Sequence, residues 1–249
     1  MGSEMCIRDS IRDEFLGFVY PINEYWVIGL TMDYLYATGL IERTLITSDT
    51  REGTGNKFDA YTGVATFAVS SKISDNLSLG TNIKVIQESI YNEKAMGYGA
   101  DIGALYRLEN FRFGLSVQNF GTKITLYKES FPLPFNIKTG VSYMLFDKRL
   151  TIAADMNKPA DNDINGRFGA EYWIAEMFAL RAGYKTNVEK NTGSGISAGL
   201  GFKYKDSQID YSYLPFGDLG DTHRLSLTLK FGALIGTYKH KAGGYHYRY

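Results

Sequence analysis

The chain has 249 residues, and its 27 Lys and Arg balance 27 Asp and Glu, which excludes both the basic surface of a nucleic-acid binder and an acidic solvating tail. One Cys excludes a disulfide scaffold, and the longest stretches without a charge, residues 60–71 and 191–202, fall short of the ~18 residues that a membrane-crossing helix needs. A membrane protein built of strands stays open, because a tilted strand crosses the same layer in about 9–11 residues with only every second one apolar.

Residues 1–10 (MGSEMCIRDS) show neither an apolar core nor a small-residue cleavage site, so they are not expected to act as a signal peptide, nor Cys6 as a lipid anchor. The string EMCIRDS resembles translated sequencing-adaptor read-through, so residues 1–10 are expected to be an artefactual leader on an N-terminally truncated chain. Less regular strands follow at Phe15–Tyr20, Tyr25–Tyr36 and Asp59–Ile73, with Ile41–Thr47 continuing the second strand past the rim. From Leu77 the pattern is strict period two: Leu77, Leu79, Thr81, Ile83 and Val85 alternate with Ser78, Gly80, Asn82 and Lys84. Met96, Tyr98, Ala100 and Ile102 alternate with Gly97, Gly99, Asp101 and Gly103, and Phe113, Leu115 and Val117 with Arg112, Gly114 and Ser116. The same split recurs through Ile137–Leu145, Leu150–Met156, Phe168–Ile174, Phe178–Tyr184, Ile196–Tyr204, Ile209–Tyr213 and Leu225–Phe231.

These segments predict thirteen strands with no helix between them, an all-β antiparallel meander. Predicted connections alternate in length: 21–24, 74–76, 109–110, 147–149, 175–176 and 205–207 are short, while 48–58, 92–95, 121–135, 159–165, 187–193 and 215–221 are longer. Tight turns at one end and longer loops at the other are the mark of a transmembrane β-barrel in the outer membrane. A soluble barrel of this strand number would enclose an apolar void that its side chains could not fill. Outward aromatics gather near both rims, with Tyr106, Tyr143, Tyr172, Phe178, Tyr204 and Phe231 at the short-turn end and Tyr98, Phe168, Tyr184 and Tyr213 at the other. Residues 11–232 are therefore read as one barrel domain and 233–249 as a C-terminal tail. With the short turns periplasmic, the first visible strand would start outside the cell, so one more strand upstream, fourteen in all, is expected.

The last strand and its approach, Tyr211 to Phe231 (YSYLPFGDLGDTHRLSLTLKF), resembles the ending of the PorV/PorQ family of outer-membrane barrels. Leu77–Lys84 (LSLGTNIK), Asp101–Tyr106 (DIGALY), Val117–Gly121 (VQNFG) and Leu133-Pro134 ahead of Gly140 are similar to family motifs in the same order. The resemblance implies a FadL-like barrel. It implies a role in type IX secretion too, in which family members capture the signal domain of secreted cargo and pass it to the surface-attachment machinery. The Gly-rich N-terminal region of the family is missing and 232–249 extends past the usual terminal Phe. A FadL-like transporter of hydrophobic small molecules is the alternative reading.

Signals for chemistry are thin, and neither an enzyme nor a cofactor is expected. Asp161-Asn-Asp163-Ile-Asn165-Gly166 opens like a Ca²⁺ loop, but the twelfth position is Tyr172, which cannot supply the closing carboxylate. His223, beside Asp221 and Arg224, reads as a hydrogen-bonding rim residue rather than a base. Gly97 and Gly99 follow strand period with no helix after them and face the lumen. The inward charges, among them Lys84, Asp101, Arg112, Lys138, Asp155, Arg167, Glu171, Arg181, Lys185, Asp210, Arg224 and Lys230, mix both signs and are expected to cross-link the interior. The remaining candidate is the loop 121–135. Phe131, Leu133, Pro134 and Phe135 make it oily, and proline keeps it out of the sheet, so it is expected to cap the lumen or to bind a partner. The expected partners are the outer-membrane bilayer, a cargo signal domain and the secretion machinery, with no nucleic acid.

Overall fold

The computed structural model describes residues 11–45, 51–186, 194–217 and 220–229. The leader reading of residues 1–10, the tail reading of 233–249, Lys230 and Phe231 lie outside them. In chain order the strands are β1 (Ile11–Pro21), β2 (Trp26–Leu45), β3 (Arg51–Lys72), β4 (Leu77–Ile90), β5 (Glu93–Leu108), β6 (Phe111–Gly121), β7 (Ile124–Leu126) and β8 (Glu129–Phe131). They continue with β9 (Asn136–Leu145), β10 (Leu150–Pro159), β11 (Asn165–Ile174), β12 (Phe178–Lys185), β13 (Ile196–Tyr204), β14 (Ser207–Pro215) and β15 (Asp221–Leu229). All but β7 and β8 form one thirteen-stranded antiparallel meander in chain order, as the alternation predicts. The sheet curls until residues of β1–β6 and β9–β11 face a single cavity of about 1120 Å³.

The alternation sorts by face. Ile83, Ile102, Leu115, Ile152, Leu180 and Leu200 stand exposed on the convex side, between 47% and 62% accessible. An apolar belt of this extent is a liability in water and a requirement in lipid. The concave side carries the glycines and charges. Tight turns at one end are shaped by side chains: Asn23 Oδ1 accepts from the N–H groups of Tyr25 and Trp26 (2.9 and 2.8 Å), and Ser74 Oγ from that of Leu77 (3.1 Å).

Three expectations about connections need correction. Most of the predicted loop 48–58 is strand: β2 and β3 stay paired past the sheet, with Leu40 opposite Phe58 and Arg43 opposite Gly53 across two register irregularities. Among the described residues the ribbon has no third strand there, since the pairing of β1 with β2 reaches only to Ala37 and that of β4 with β3 only to Ala60. The predicted long connection 92–95 is the two-residue turn 91–92 at the longer-loop end, closed by Tyr91 with φ 58°, so the alternation of lengths is not strict. Finally, the loop after β6 contains the hairpin β7–β8, in which Ile124 pairs with Phe131 and Thr125 with Ser130.

Candidate functional site

The site is built on β5, where alternation sends Gly97, Gly99, Asp101 and Gly103 to the concave face. Side chains on β7 and just past β8 fill the space those glycines leave. A Cβ on Gly97 would lie 2.6 Å from Ile124 Cγ1, and one on Gly99 2.9 Å from Leu133 Cδ1. Ile124 and Leu133 are 6% and 7% exposed and form a small core with Ile86 and Ala95, flanked by Val64 and Leu126. Burying two such side chains stabilises the docked loop by about 3–6 kcal/mol before the entropy of ordering it.

Polar ties hold the same loop. Asn119 adopts a left-handed backbone (φ 59°) where β5 and β6 shift register, an irregularity that a β-bulge produces. Its N–H donates to Asp101 Oδ1 (2.8 Å), its Oδ1 accepts from Lys84 Nζ (2.8 Å), and its Nδ2 donates to the carbonyl of Pro134 (3.0 Å). Lys84 also pairs with Asp101 at 2.7 Å, and Asn82 Nδ2 donates to Asp101 Oδ2 (3.0 Å). The wall thus grips the loop at Pro134, next to the seated Leu133. On the other side of the hairpin, Thr122 Oγ1 accepts from the N–H of Tyr98 (2.9 Å), and Gly121 crosses so near the Tyr98 carbonyl that no side chain fits.

Of the four loop residues expected to cap or bind, Leu133 is buried against the concave face, Phe135 is half-buried, and Phe131 and Pro134 are exposed. Tyr127 at the hairpin tip is 72% accessible and Phe131, at its base opposite Ile124, 53%. The sequence reading missed Ile124. The signal that would have found it is the pair Gly97 and Gly99, because consecutive inward glycines in a strand mark a close approach by something else.

The inward charges divide into two groups. Arg181 bridges Glu171 and Asp210, both at 2.6 Å, and ties β11, β12 and β14 together as expected of cross-linking charges. Arg112, Lys138, Asp155 and Arg167 line the cavity instead, and among the described residues none of them forms an ion pair. His223 Nδ1 meets the Tyr211 hydroxyl at 2.7 Å, and Asp221 accepts from the Tyr213 hydroxyl (2.9 Å), so the partner of the histidine is a tyrosine rather than its acidic neighbour. Tyr172 is on β11, paired with Leu150, and no group of metal-ligating side chains occurs among the described residues.

No curated protein matches the chain. Among solved structures it is similar to the toluene transporter TodX of Pseudomonas putida (13% identity, 82% of this chain and 80% of that one, TM-score 0.55). A deltaS2S3 mutant of TodX, titled a monoaromatic hydrocarbon channel, has 14% identity over 88% and 83% with TM-score 0.59. The toluene transporter TbuX of Ralstonia pickettii has 15% identity over 88% and 81% with TM-score 0.55. At such identities the likeness shows the fold, which meets the expectation of a FadL-like architecture. The family model for the type IX secretion system membrane protein PorP/SprF matches residues 45–229, well over half of the chain. The resemblance read from the sequence reached the right secretion system but named PorV/PorQ, whereas the matching model is PorP/SprF.

Proposed function

We propose that this chain, which belongs to the PorP/SprF family of type IX secretion system membrane proteins, serves protein export as an outer-membrane β-barrel whose loop 122–135 meets the partner. The observation that carries this reading is the division of that loop. Ile124 and Leu133 seat it in the glycine groove, while Tyr127 and Phe131 present apolar surface outward. Exposed aromatics on an anchored hairpin make a preorganised docking element, because its ordering cost is met before the partner arrives. The partner under this reading is the signal domain of a secreted cargo or a component of the secretion machinery. The cargo-shuttle role implied by the PorV/PorQ resemblance is its finer form.

In this reading the sheet closes in the membrane. β1 and β15 run in the same direction, being first and last of thirteen antiparallel strands, and share no ladder among the described residues. Antiparallel closure then takes an odd number of further strands, and one gives the even total of fourteen. A second reading, a channel for hydrophobic small molecules, is favoured by the 1120 Å³ cavity and by the titles of the structural neighbours. Replacing residues 123–134 with a Gly-Ser linker separates the two. Loss of co-purification with a type IX signal domain, with heat-modifiable gel mobility retained, supports export. Unchanged capture refutes it, and toluene uptake into liposomes that rises on the same replacement supports the channel.

A further inference from the structure

We propose that the concave face of β9–β11 carries a binding subsite for a small hydroxylated anion, of the chemical class of a sugar phosphate. The array follows from register. Lys138 on β9 stands opposite Asn157 on β10, which stands opposite Asn165 on β11. One step along the same face, Asp155 stands between Gly140 and Arg167. Lys138, Asp155, Asn157 and Arg167 all line the 1120 Å³ cavity.

Two kinds of unspent capacity meet there. Asn157 is 8% exposed, yet its Oδ1 has no hydrogen-bond partner, and the Oδ1 atoms of Asn136 and Asn165 on the flanking strands are buried and unpartnered as well. Buried amide oxygens are nearly always satisfied, so three on adjacent strands, that of Asn157 on the cavity wall itself, call for donors from a ligand. The cations are the second kind. Arg112, Lys138 and Arg167 make no ion pair among the described residues, although Lys84 and Arg181 on the same face do. Asp155 faces Arg167 in register but leans instead over Gly140, where its Oδ1 occupies the space a Cβ would need. Lys138 and Arg167 on this wall and Arg112 on the adjoining β6, against the one carboxylate of Asp155, leave it positive, which repels a divalent cation and attracts an anion.

The chemistry narrows the class. Lysine and arginine take phosphate oxygens, while amide oxygens take hydroxyl protons. Inorganic phosphate offers the first contact but only one or two P–OH protons for the amide oxygens, and a neutral sugar offers only the second. Small side chains beside the array, Gly114 and Ala153, leave the cavity wide enough for a ring.

The inference stands apart from the export reading, because it rests on the wall and not on the loop. The test is isothermal titration of the detergent-folded full chain with glucose 1-phosphate, glucose, inorganic phosphate and CaCl₂. Glucose 1-phosphate is expected to bind tightest, with affinity falling about tenfold or more in Lys138→Gln and in Arg167→Gln, and falling also in Asn157→Asp, which sets a carboxylate against the anion. Raised salt should weaken binding in the native chain. Equal affinity for phosphate and glucose 1-phosphate, preferential binding of Ca²⁺, affinity unchanged in both cation variants that retain the folded gel mobility, or no binding of glucose 1-phosphate at all would overturn the proposal.

Discussion

Gly97→Ala tests whether the loop 122–135 is held by the glycine groove. The added Cβ would come within 2.6 Å of Ile124 Cγ1 and 3.0 Å of its Cδ1. Ordinary carbon contacts lie near 3.5–4.0 Å, so the overlap is about 1 Å. Ile124 is β-branched and boxed in by Ile86 and Ala95, so it does not swing aside cheaply. Overpacking of this kind costs about 1–3 kcal/mol, and the burial holding Ile124 is worth about 1.5–3 kcal/mol. The two are comparable, so the strain is relieved by releasing the hairpin while the thirteen-stranded sheet stays intact. Each 1.4 kcal/mol multiplies the open population about tenfold. Tryptic cleavage at Lys123 and Lys128, followed by mass spectrometry, should accelerate by about tenfold or more when opening is fast relative to cleavage. Gly99→Ala should act more weakly, because its Cβ meets only the far end of the flexible Leu133 side chain at 2.9 Å. Gly114→Ala, with nothing within 4 Å of its added carbon, should change nothing. Adding Ile124→Ala to Gly97→Ala removes the overlap but also the anchor, so it should not restore native protection. Native cleavage rates in Gly97→Ala would refute the groove as the fastening of the loop.

Leu115→Arg, near the middle of β6 on the convex face, should destabilise a lipid-embedded barrel by about 2–4 kcal/mol in reversible urea unfolding, whereas Ser116→Arg, on the concave face, should cost clearly less. Arg181→Gln strands Glu171 and Asp210 together. It should lower stability by about 2 kcal/mol, with partial exposure keeping it below the penalty of a fully buried pair. In the turn after β3, the hydrogen bond from Lys72 holds the Asp75 carboxyl below the ordinary carboxylate value. Its folded pKa being depressed, the contribution is present above the unfolded pKa of about 3.9 and fades as pH falls through the folded value. Carbon-detected NMR should show Asp75 titrating lower than in the Lys72→Met variant.

The sheet was legible because a barrel wall writes its geometry into every second residue. Ile83, Leu115 and Leu200 alternate with Lys84, Ser116 and Gly201 whatever the neighbouring strands do, and the phase slips only where the register shifts, as at Asn119, where Val117 and Phe120 pair with Ile102 and Ala100 on one face. The ends of strands were less legible. Past Ala37 and Ala60 the β2–β3 ribbon has no third strand among the described residues, and its sequence carries no alternation to read. The loop was half legible. Phe131, Leu133 and Phe135 announced an apolar segment, but which of them turns inward depends on the hairpin β7–β8, a three-residue ladder too short to show a period.

Ion pairing on the concave face follows spacing rather than composition. Arg181 finds Glu171 on β11 and Asp210 on β14 because Gly199 and Gly201 on the intervening strand β13 leave its side chain a path across. A Cβ on Gly201 would meet Asp210 Oδ1 at 2.8 Å and Arg181 Nη1 at 3.0 Å. Asp155 has an arginine directly opposite and a glycine on its other side, and its carboxylate takes the space over the glycine. Glycine on this wall therefore has three uses: a groove for the loop at Gly97 and Gly99, a passage for the Arg181 bridge at Gly201, and a seat for Asp155 at Gly140 that leaves Arg167 facing the cavity. A Gly140→Ala substitution makes the last use testable, because it should push Asp155 toward Arg167. The ion pair so formed would weaken glucose 1-phosphate binding without touching any cation, whereas unchanged binding would show that the position of Asp155 is irrelevant to the wall.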